Sequence, residues 1–238
     1  MPAIYGRADL HMHTCYSDGR PTVRAVLDHT ARHTNLQVLA ITDHDTIEGA
    51  LEAQSLQARY PFDIVLGEEV TSRDGHILAL FISRRVPPGL SATETVAIIH
   101  EQGGLAIAAH PFLSAGTFGN QHLSRQGVGE LIGGLPFDGV EIDNSTPFLR
   151  LANYHARRYN RSHGRLAELG NSDAHIIEAI GKSYTRFPGR GMADLRQAIE
   201  QRRTRARRTG YGPKELLAYA RFWLEPQTAP RREAARAE

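Results

Sequence analysis

Asp9-Leu10-His11-Met12-His13-Thr14-Cys15-Tyr16-Ser17-Asp18-Gly19 is the stretch on which the reading of this 238-residue chain turns. In an extended strand alternate side chains share a face, so His11 and His13 point the same way, one strand repeat apart. Two imidazoles held in that way form a pincer for a transition metal. Asp18 follows just past the strand, where a turn ending in Gly19 can bring its carboxylate back over the same ion. A lone pair of this kind is often nothing more than a strand with two half-exposed histidines, so the rest of the chain has to decide.

Further along, short apolar runs end repeatedly in metal-ligand residue types. Val38–Thr42 is a continuous apolar run of the sort buried in parallel sheets, and it delivers Asp43-His44-Asp45. Neighbours on a strand face opposite sides, so His44 is taken as the ligand, Asp43 as a group behind it, and Asp45 as the cap of a helix over Thr46–Tyr60. Asp63–Leu66 delivers Gly67-Glu68-Glu69, where one carboxylate can bridge two ions; Glu68 is the choice and Glu69 its competitor. Asp74-Gly75 between two strand-like runs signals a hairpin, which would return His76 to the rim carrying Glu68. Leu105–Ala109 ends in His110-Pro111, and Asp173 and His175 repeat the spacing of His11 and His13.

Other histidines look structural. His29 and His33 sit four apart on a helix opened by Pro21, but no acidic residue lies between them as in the helical zinc-protease motif, so they read as surface groups. Ser91 and Glu94 have capping-box spacing ahead of a helix that carries His100. Residues 112–127 form a Gly/Ser-rich stretch without period; it reads as a lid or substrate loop carrying His122 and Arg125.

Bulk properties set the frame. The length suits one large domain, expected over 1–225, with a disordered tail over 226–238. No run reaches the apolar length of a membrane span, and residues 1–7 have no signal-peptide core. The single cysteine, Cys15, permits no internal disulfide, which fits a reducing cytoplasm. Net charge is only +2, with Lys182 and Lys214 the sole lysines. The late arginine cluster Arg202, Arg203, Arg205, Arg207 and Arg208 is better explained as a solvated helix end than as a phosphate-tracking patch.

Strand, helix, strand, helix with short turns is the pattern of a parallel α/β barrel, whose sites gather at the C-terminal ends of the strands. His11, His13, His44, Glu68, His110, Asp173 and His175 all fall there. With these residues assembled, the sequence resembles the PHP (polymerase and histidinol phosphatase) domain family. Asp-Leu-His-Met-His-Thr with Ser-Asp-Gly is similar to its first motif and Thr42-Asp43-His44 to its second. Ala109-His110-Pro111 and Ser172-Asp173-Ala174-His175 are similar to the third and fourth. The resemblance spans Asp9 to about Arg186 and implies a distorted (βα)7, TIM-like barrel with a three-metal centre. Carried over by position, the ligands are His11, His13, Asp18, His44, Glu68, His76, His110, Asp173 and His175. Of these, Glu68, His76 and Asp18 rest on the resemblance more than on spacing.

The expected activity is that of a metal-dependent phosphoesterase acting on a small phosphate ester, a nucleotide or another monoester. Divalent zinc, manganese or iron suits the mixed donor set, and a metal-bridging hydroxide would attack phosphorus in line. Asp43 and His122 are candidates for the leaving-group acid; Asn144, Arg125 and Lys182 are candidate substrate contacts. Three rival functions stand beside this one. They are a 3'-5' exonuclease acting on a short nucleic-acid end, an amidohydrolase-type enzyme, and a non-catalytic metal-binding regulatory module. The usual bridging lysine of amidohydrolases has no counterpart before Lys182, which weakens that rival.

Overall fold

A computed structural model describes residues 4–113 and 126–225; His122, Arg125 and the tail beyond 225 lie outside the described residues. The elements in chain order are β1 (Tyr5–Asp9), α1 (Val23–His33), β2 (Val38–Ile41), α2 (Glu48–Ser55), β3 (Asp63–Ser72), β4 (Gly75–Leu80) and α3 (Ala92–Glu101). They continue with β5 (Leu105–Ala108), β6 (Gly139–Asn144), α4 (Arg150–Tyr159), β7 (Ala167–Asn171), β8 (Ser183–Pro188), α5 (Met192–Glu200), β9 (Arg205–Arg208) and α6 (Pro213–Leu224).

The nine strands of the described residues form one sheet in the order β7-β6-β5-β4-β3-β2-β1-β8-β9. Its ends curl toward each other: the Thr185 hydroxyl of β8 donates to the Gly170 carbonyl of β7 at 3.0 Å and accepts from the Gly170 amide at 3.1 Å. The result is the expected α/β barrel, although seven βα units do not describe it. β3 and β4 make the antiparallel hairpin signalled by Asp74-Gly75, β4 runs antiparallel to β5, and β8 and β9 are antiparallel additions on the β1 side.

Strand periodicity builds two layers of core. Ala8, Val38, Ala40, Val65, Leu80 and Ile107 pack together inside the curled sheet, with Leu195 and Ile199 of α5 joining them. Leu39, Ile41 and Ile64 face outward and bury Val23, Val26 and Leu27 of α1. Thr22 caps α1 by accepting from the Ala25 amide, and Ser91 with Glu94 closes the capping box of α3 as expected.

The cap expected from Asp45 does not form, and α2 is shorter than Thr46–Tyr60. Asp45 has φ of 54° and its carboxylate accepts from the Thr71 amide at 2.8 Å, so it ties β3 to the loop after β2. No helix among the described residues is long and apolar enough to cross a membrane.

Asp143, at the end of β6, fastens the closing edge. Its carboxylate pairs with Arg157 of α4, with Arg208 of β9 at 2.8 Å, and accepts from the Ser183 hydroxyl at 3.2 Å. Asp143→Ala removes the buried acceptor that the buried Ser183 hydroxyl and the two partly exposed arginines share. It is expected to lower unfolding free energy by about 1–3 kcal/mol, measured as a shift of the urea midpoint.

Candidate metal centre

The residues that follow the strands are stitched by backbone hydrogen bonds into one rim. The Asp173 amide donates to the His11 carbonyl at 2.8 Å and the His13 amide to the Ala174 carbonyl at 2.9 Å, which sets the end of β7 beside the end of β1. The Thr42 amide donates to the Met12 carbonyl at 2.9 Å, and the Asp45 amide to the Glu69 carbonyl at 3.0 Å. His44 lies in a parallel bridge with Glu69, and Thr71 pairs with His76 across the hairpin. His110 and Asp173 have positive φ, 25° and 52°, at the points where the chain leaves β5 and β7.

Glu69 occupies the middle of this rim. Its Oε2 lies 3.0 Å from His11 Nε2, 3.2 Å from His13 Nε2 and 3.4 Å from His44 Nδ1. Its Oε1 lies 2.9 Å from His76 Nδ1 and 3.1 Å from His110 Nε2. Asp173 Oδ1 sits 3.3 Å from His11 Nε2 and 3.1 Å from His13 Nε2. Asp18 brings a third carboxylate to His175 Nε2 at 3.2 Å, His13 Nδ1 at 3.6 Å and His44 Nε2 at 3.8 Å. Three overlapping donor groups result: His11, His13, Glu69 and Asp173; His13, Asp18, His44 and His175; and His44, Glu69 and His76.

These groups fit divalent cations. Tetrahedral bonds of roughly 2.0–2.1 Å put donor atoms about 3.3 Å apart, which matches the separations around His11 and His13. Among the described residues, His13 Nδ1, His44 Nδ1 and His110 Nδ1 are buried without a hydrogen-bond partner. Such atoms are costly to bury unless something satisfies them.

Behind the donors lies a layer that aims them. The buried Glu141 accepts from His11 Nδ1 at 3.0 Å, which turns His11 Nε2 toward the cluster, and from the His110 amide at 2.9 Å. The Asn144 amide group bonds Glu141 and Asp173, each at 3.0 Å, and Asn171 donates to Glu141 at 2.9 Å. His175 Nδ1 is held by the Asp173 carbonyl at 3.0 Å, leaving Nε2 for Asp18.

Without a metal the charges compensate one another. Burial would push the His13 imidazole down, but its hydrogen bonds to Asp173 and Glu69 lift it to about 10. His11 is likewise raised against its burial by Asp173, Glu69 and Glu141, and His110 by Glu69. Glu69 and Asp173 are held well below the usual carboxylate range despite burial, chiefly by His11. His44 goes the other way, pushed down to about 4 mainly by burial.

The sequence-derived set is corrected at one ligand and several contacts. Glu69 faces the cluster, and Glu68 faces away: its Oε2 accepts from the Val86 amide at 2.8 Å, and burial pushes its carboxyl up to about 7. Consecutive strand residues must diverge in this way. Asp43 is not free to act as a leaving-group acid. It accepts from the Thr14 amide and hydroxyl, both at 2.7 Å, and from the Ser17 hydroxyl at 2.6 Å, so it pins the loop that carries Asp18. Asn144 is fully buried behind Asp173, where it cannot be a substrate contact, and the Lys182 ammonium pairs with Glu215 of α6 at 2.6 Å. His122 and Arg125 are outside the described residues. Glu141 is absent from the sequence-derived set, although Glu141 and Asp143 in Gly139–Asn144 repeat the two-residue spacing of His11 and His13 and could have signalled it.

Two measurements check this geometry. By elemental analysis, Glu69→Gln should lose bound metal while Glu68→Gln and His29→Ala retain it, and Glu141→Gln should weaken metal affinity roughly 10–100-fold. Histidines raised in the metal-free protein must shed protons before they ligate. Metal binding is therefore expected to release protons near neutral pH, and to tighten as pH rises toward the His13 value of about 10. Calorimetry in buffers of different ionisation enthalpy reads both effects.

Comparison with known proteins agrees with the geometry. A family described as PHP-associated matches residues 150–204. The uncharacterised protein MJ1587 of Methanocaldococcus jannaschii is 37% identical over 150 residues, which are 58% of this chain and 82% of that protein. A phosphoribosyl 1,2-cyclic phosphate 1,2-diphosphodiesterase of Eggerthella lenta is 36% identical over 85 residues, 33% of this chain and 32% of that one. Among solved structures, a two-domain protein of Bacteroides vulgatus, described as containing a predicted PHP-like metal-dependent phosphoesterase, aligns with a TM-score of 0.66 at 21% identity. The alignment covers 93% of this chain and 69% of that one. With its four histidine and aspartate motifs converging on the rim of such a barrel, the chain belongs to the PHP (polymerase and histidinol phosphatase) family.

Proposed function

We propose that this protein is a metal-dependent phosphoesterase that hydrolyses a small phosphate ester, a nucleotide or another monoester. One observation carries the reading: nine nitrogen and oxygen donors from distant parts of the chain converge at one rim of the barrel. The three overlapping groups among the described residues support a centre of three ions. In this reading the ligands are His11, His13, Asp18, His44, Glu69, His76, Asp173 and His175, joined by His110, which lies 3.1 Å from Glu69. The mixed donor set suits manganese, iron or zinc. When bound, such ions lower the pKa of coordinated water and neutralise charge on phosphoryl oxygens.

The chain's own residues set the direction of approach. The side chains of His11 and His13 are fully buried, whereas that of Asp18 is 49% exposed and those of His44 and His175 are 25% and 17% exposed. The first pair is the floor and the last three line the mouth, where a phosphate would enter. Asp43 keeps that mouth in shape by anchoring Thr14 and Ser17 on either side of the turn. The Eggerthella lenta relative is named as a phosphodiesterase, which supports phosphoester chemistry and leaves cyclic esters as test substrates.

The test is a hydrolysis panel of monoesters, cyclic phosphates, short oligonucleotides and carboxamides, run before and after metal removal. Chelation should abolish phosphoester hydrolysis and re-addition of manganese, iron or zinc should restore it. Asp173→Ala should lose metal and activity together with circular dichroism unchanged. Metal-loaded protein that cleaves only carboxamides defeats the proposal.

A further inference from the structure

Next to the mouth of the centre the surface becomes aromatic. After β6 the chain passes Thr146, whose hydroxyl donates to Asp173 Oδ2 at 3.3 Å, and two residues later reaches Phe148. Two residues span at most about 7 Å, so Phe148 stands close to a cluster carboxylate. Its phenyl ring is 74% exposed and its backbone has φ of 73°, a region uncommon for bulky side chains. An exposed ring on a strained backbone has no account in core packing, and strain of this kind concentrates at ligand sites.

The opposite side is supplied by α6. The Trp223 ring lies 5.6 Å from that of Phe148 at an interplanar angle of 31°, and rests on Tyr219 at 5.4 Å. Its neighbour Phe222 packs against the imidazole of His175, 5.7 Å between centroids. Arg20 fixes this end of α6: its guanidinium lies over Phe222 at 5.0 Å, bonds the Phe222 carbonyl at 3.1 Å and pairs with Glu225 at 2.5 Å. The aromatic pair is thus connected to the cluster from two directions, through Thr146 to Asp173 and through Phe222 to His175.

We propose that Phe148, backed by Trp223, is a stacking platform for a planar aromatic ring such as a nucleobase, carried by the leaving group of the phosphoester. An aromatic face accepts any base because every base offers a π-face. The platform lies beside the mouth lined by Asp18, His44 and His175, so a phosphate at the cluster and a ring on Phe148 belong to one ligand. This specificity rests on the phosphoesterase reading, and the experiment separates the two.

Trp223 is the single tryptophan of the chain, so its fluorescence reports on the platform. Adenosine 5'-monophosphate and ribose 5-phosphate both carry phosphate on the primary 5-hydroxyl of a ribose and differ in having adenine or a hydroxyl at the anomeric carbon. The adenine ester should quench Trp223 saturably and the ribose ester should not. Phe148→Ala should lower the ratio of kcat/KM between the two esters on the order of tenfold, and Phe148→Tyr should preserve it. The platform is refuted if both esters are hydrolysed with no quenching, if Phe148→Ala leaves the ratio unchanged, or if Phe148→Ala and Phe148→Tyr lower it together. It is refuted as well if Phe148→Ala converts a dimer to a monomer, since a second copy would then cover the ring. Saturable, base-dependent quenching in metal-loaded protein that hydrolyses no phosphoester of the panel would uphold the platform and defeat the phosphoesterase reading alone.

Discussion

The carboxylate of Glu69 is the constraint from which the rest of this structure follows. It is almost fully buried and lies within 3.4 Å of nitrogens from His11, His13, His44, His76 and His110. A charge removed from water to that extent is expensive unless it is paired and hydrogen-bonded. Protons on the imidazoles can supply the compensation, as can cations held between them. Every strand that contributes to the rim must therefore present its donor at the same height, Glu69 from within β3 and His76 from the start of β4, because a donor displaced by one residue would leave either the carboxylate or an imidazole unsatisfied.

That requirement explains why so much polar structure lies behind the donors. Glu141, Asn144 and Asn171 are all fully buried, yet each bonds a donor or another member of the same layer. Asp9 serves the end of β1 similarly, accepting from the Ser172 amide at 2.9 Å and the Gly181 amide at 2.8 Å, and burial raises its carboxyl to about 6. A buried polar network of this kind is stabilising only when its members are satisfied. Among the described residues, the unsatisfied atoms include one ring nitrogen each on His13, His44 and His110, three of the histidines around Glu69. Backbone strain is placed in the same region, at His110 and Asp173. The fold tolerates both at its site and compensates with the apolar layers on either side of the sheet.

The gradient of exposure across the cluster gives it a direction. His11 and His13 close the bottom, while Asp18, on a turn outside the strands, is half exposed. Thr14 and Ser17 hold that turn to Asp43, and the first residues of α2 press on the same carboxylate: a Cβ at Gly49 would come within 2.3 Å of Asp43 Oδ2. α6 lies beside the same turn, tied to it through Arg20, and presents Phe222 to His175. Polar and aromatic groups from elements far apart in the chain thus meet at one part of the mouth.

Much of the site was legible in the sequence because its residues follow apolar runs. His44 and His110 sit where such a run stops, the paired spacings of His11/His13 and Asp173/His175 mark two further strand ends, and His76 follows from the Asp74-Gly75 turn together with the family resemblance. The choice between Glu68 and Glu69 was not legible. Asp63–Leu66 belongs to a strand buried on both faces, so its hydrophobicity carries no parity; only the register with β2 and β4 turns Glu69 inward with Val65. Helix length after Asp45 was misjudged for a related reason, since Asp45 is recruited by the Thr71 amide of a neighbouring strand instead of by its own helix. The sequence by itself determined the barrel and the kinds of donor at its rim, because strand burial and ligand chemistry are properties of short segments. Tertiary structure decided which oxygen reaches which nitrogen, the role of Glu141 and the placing of α6 beside His175, because those depend on strand register and on how the sheet curls.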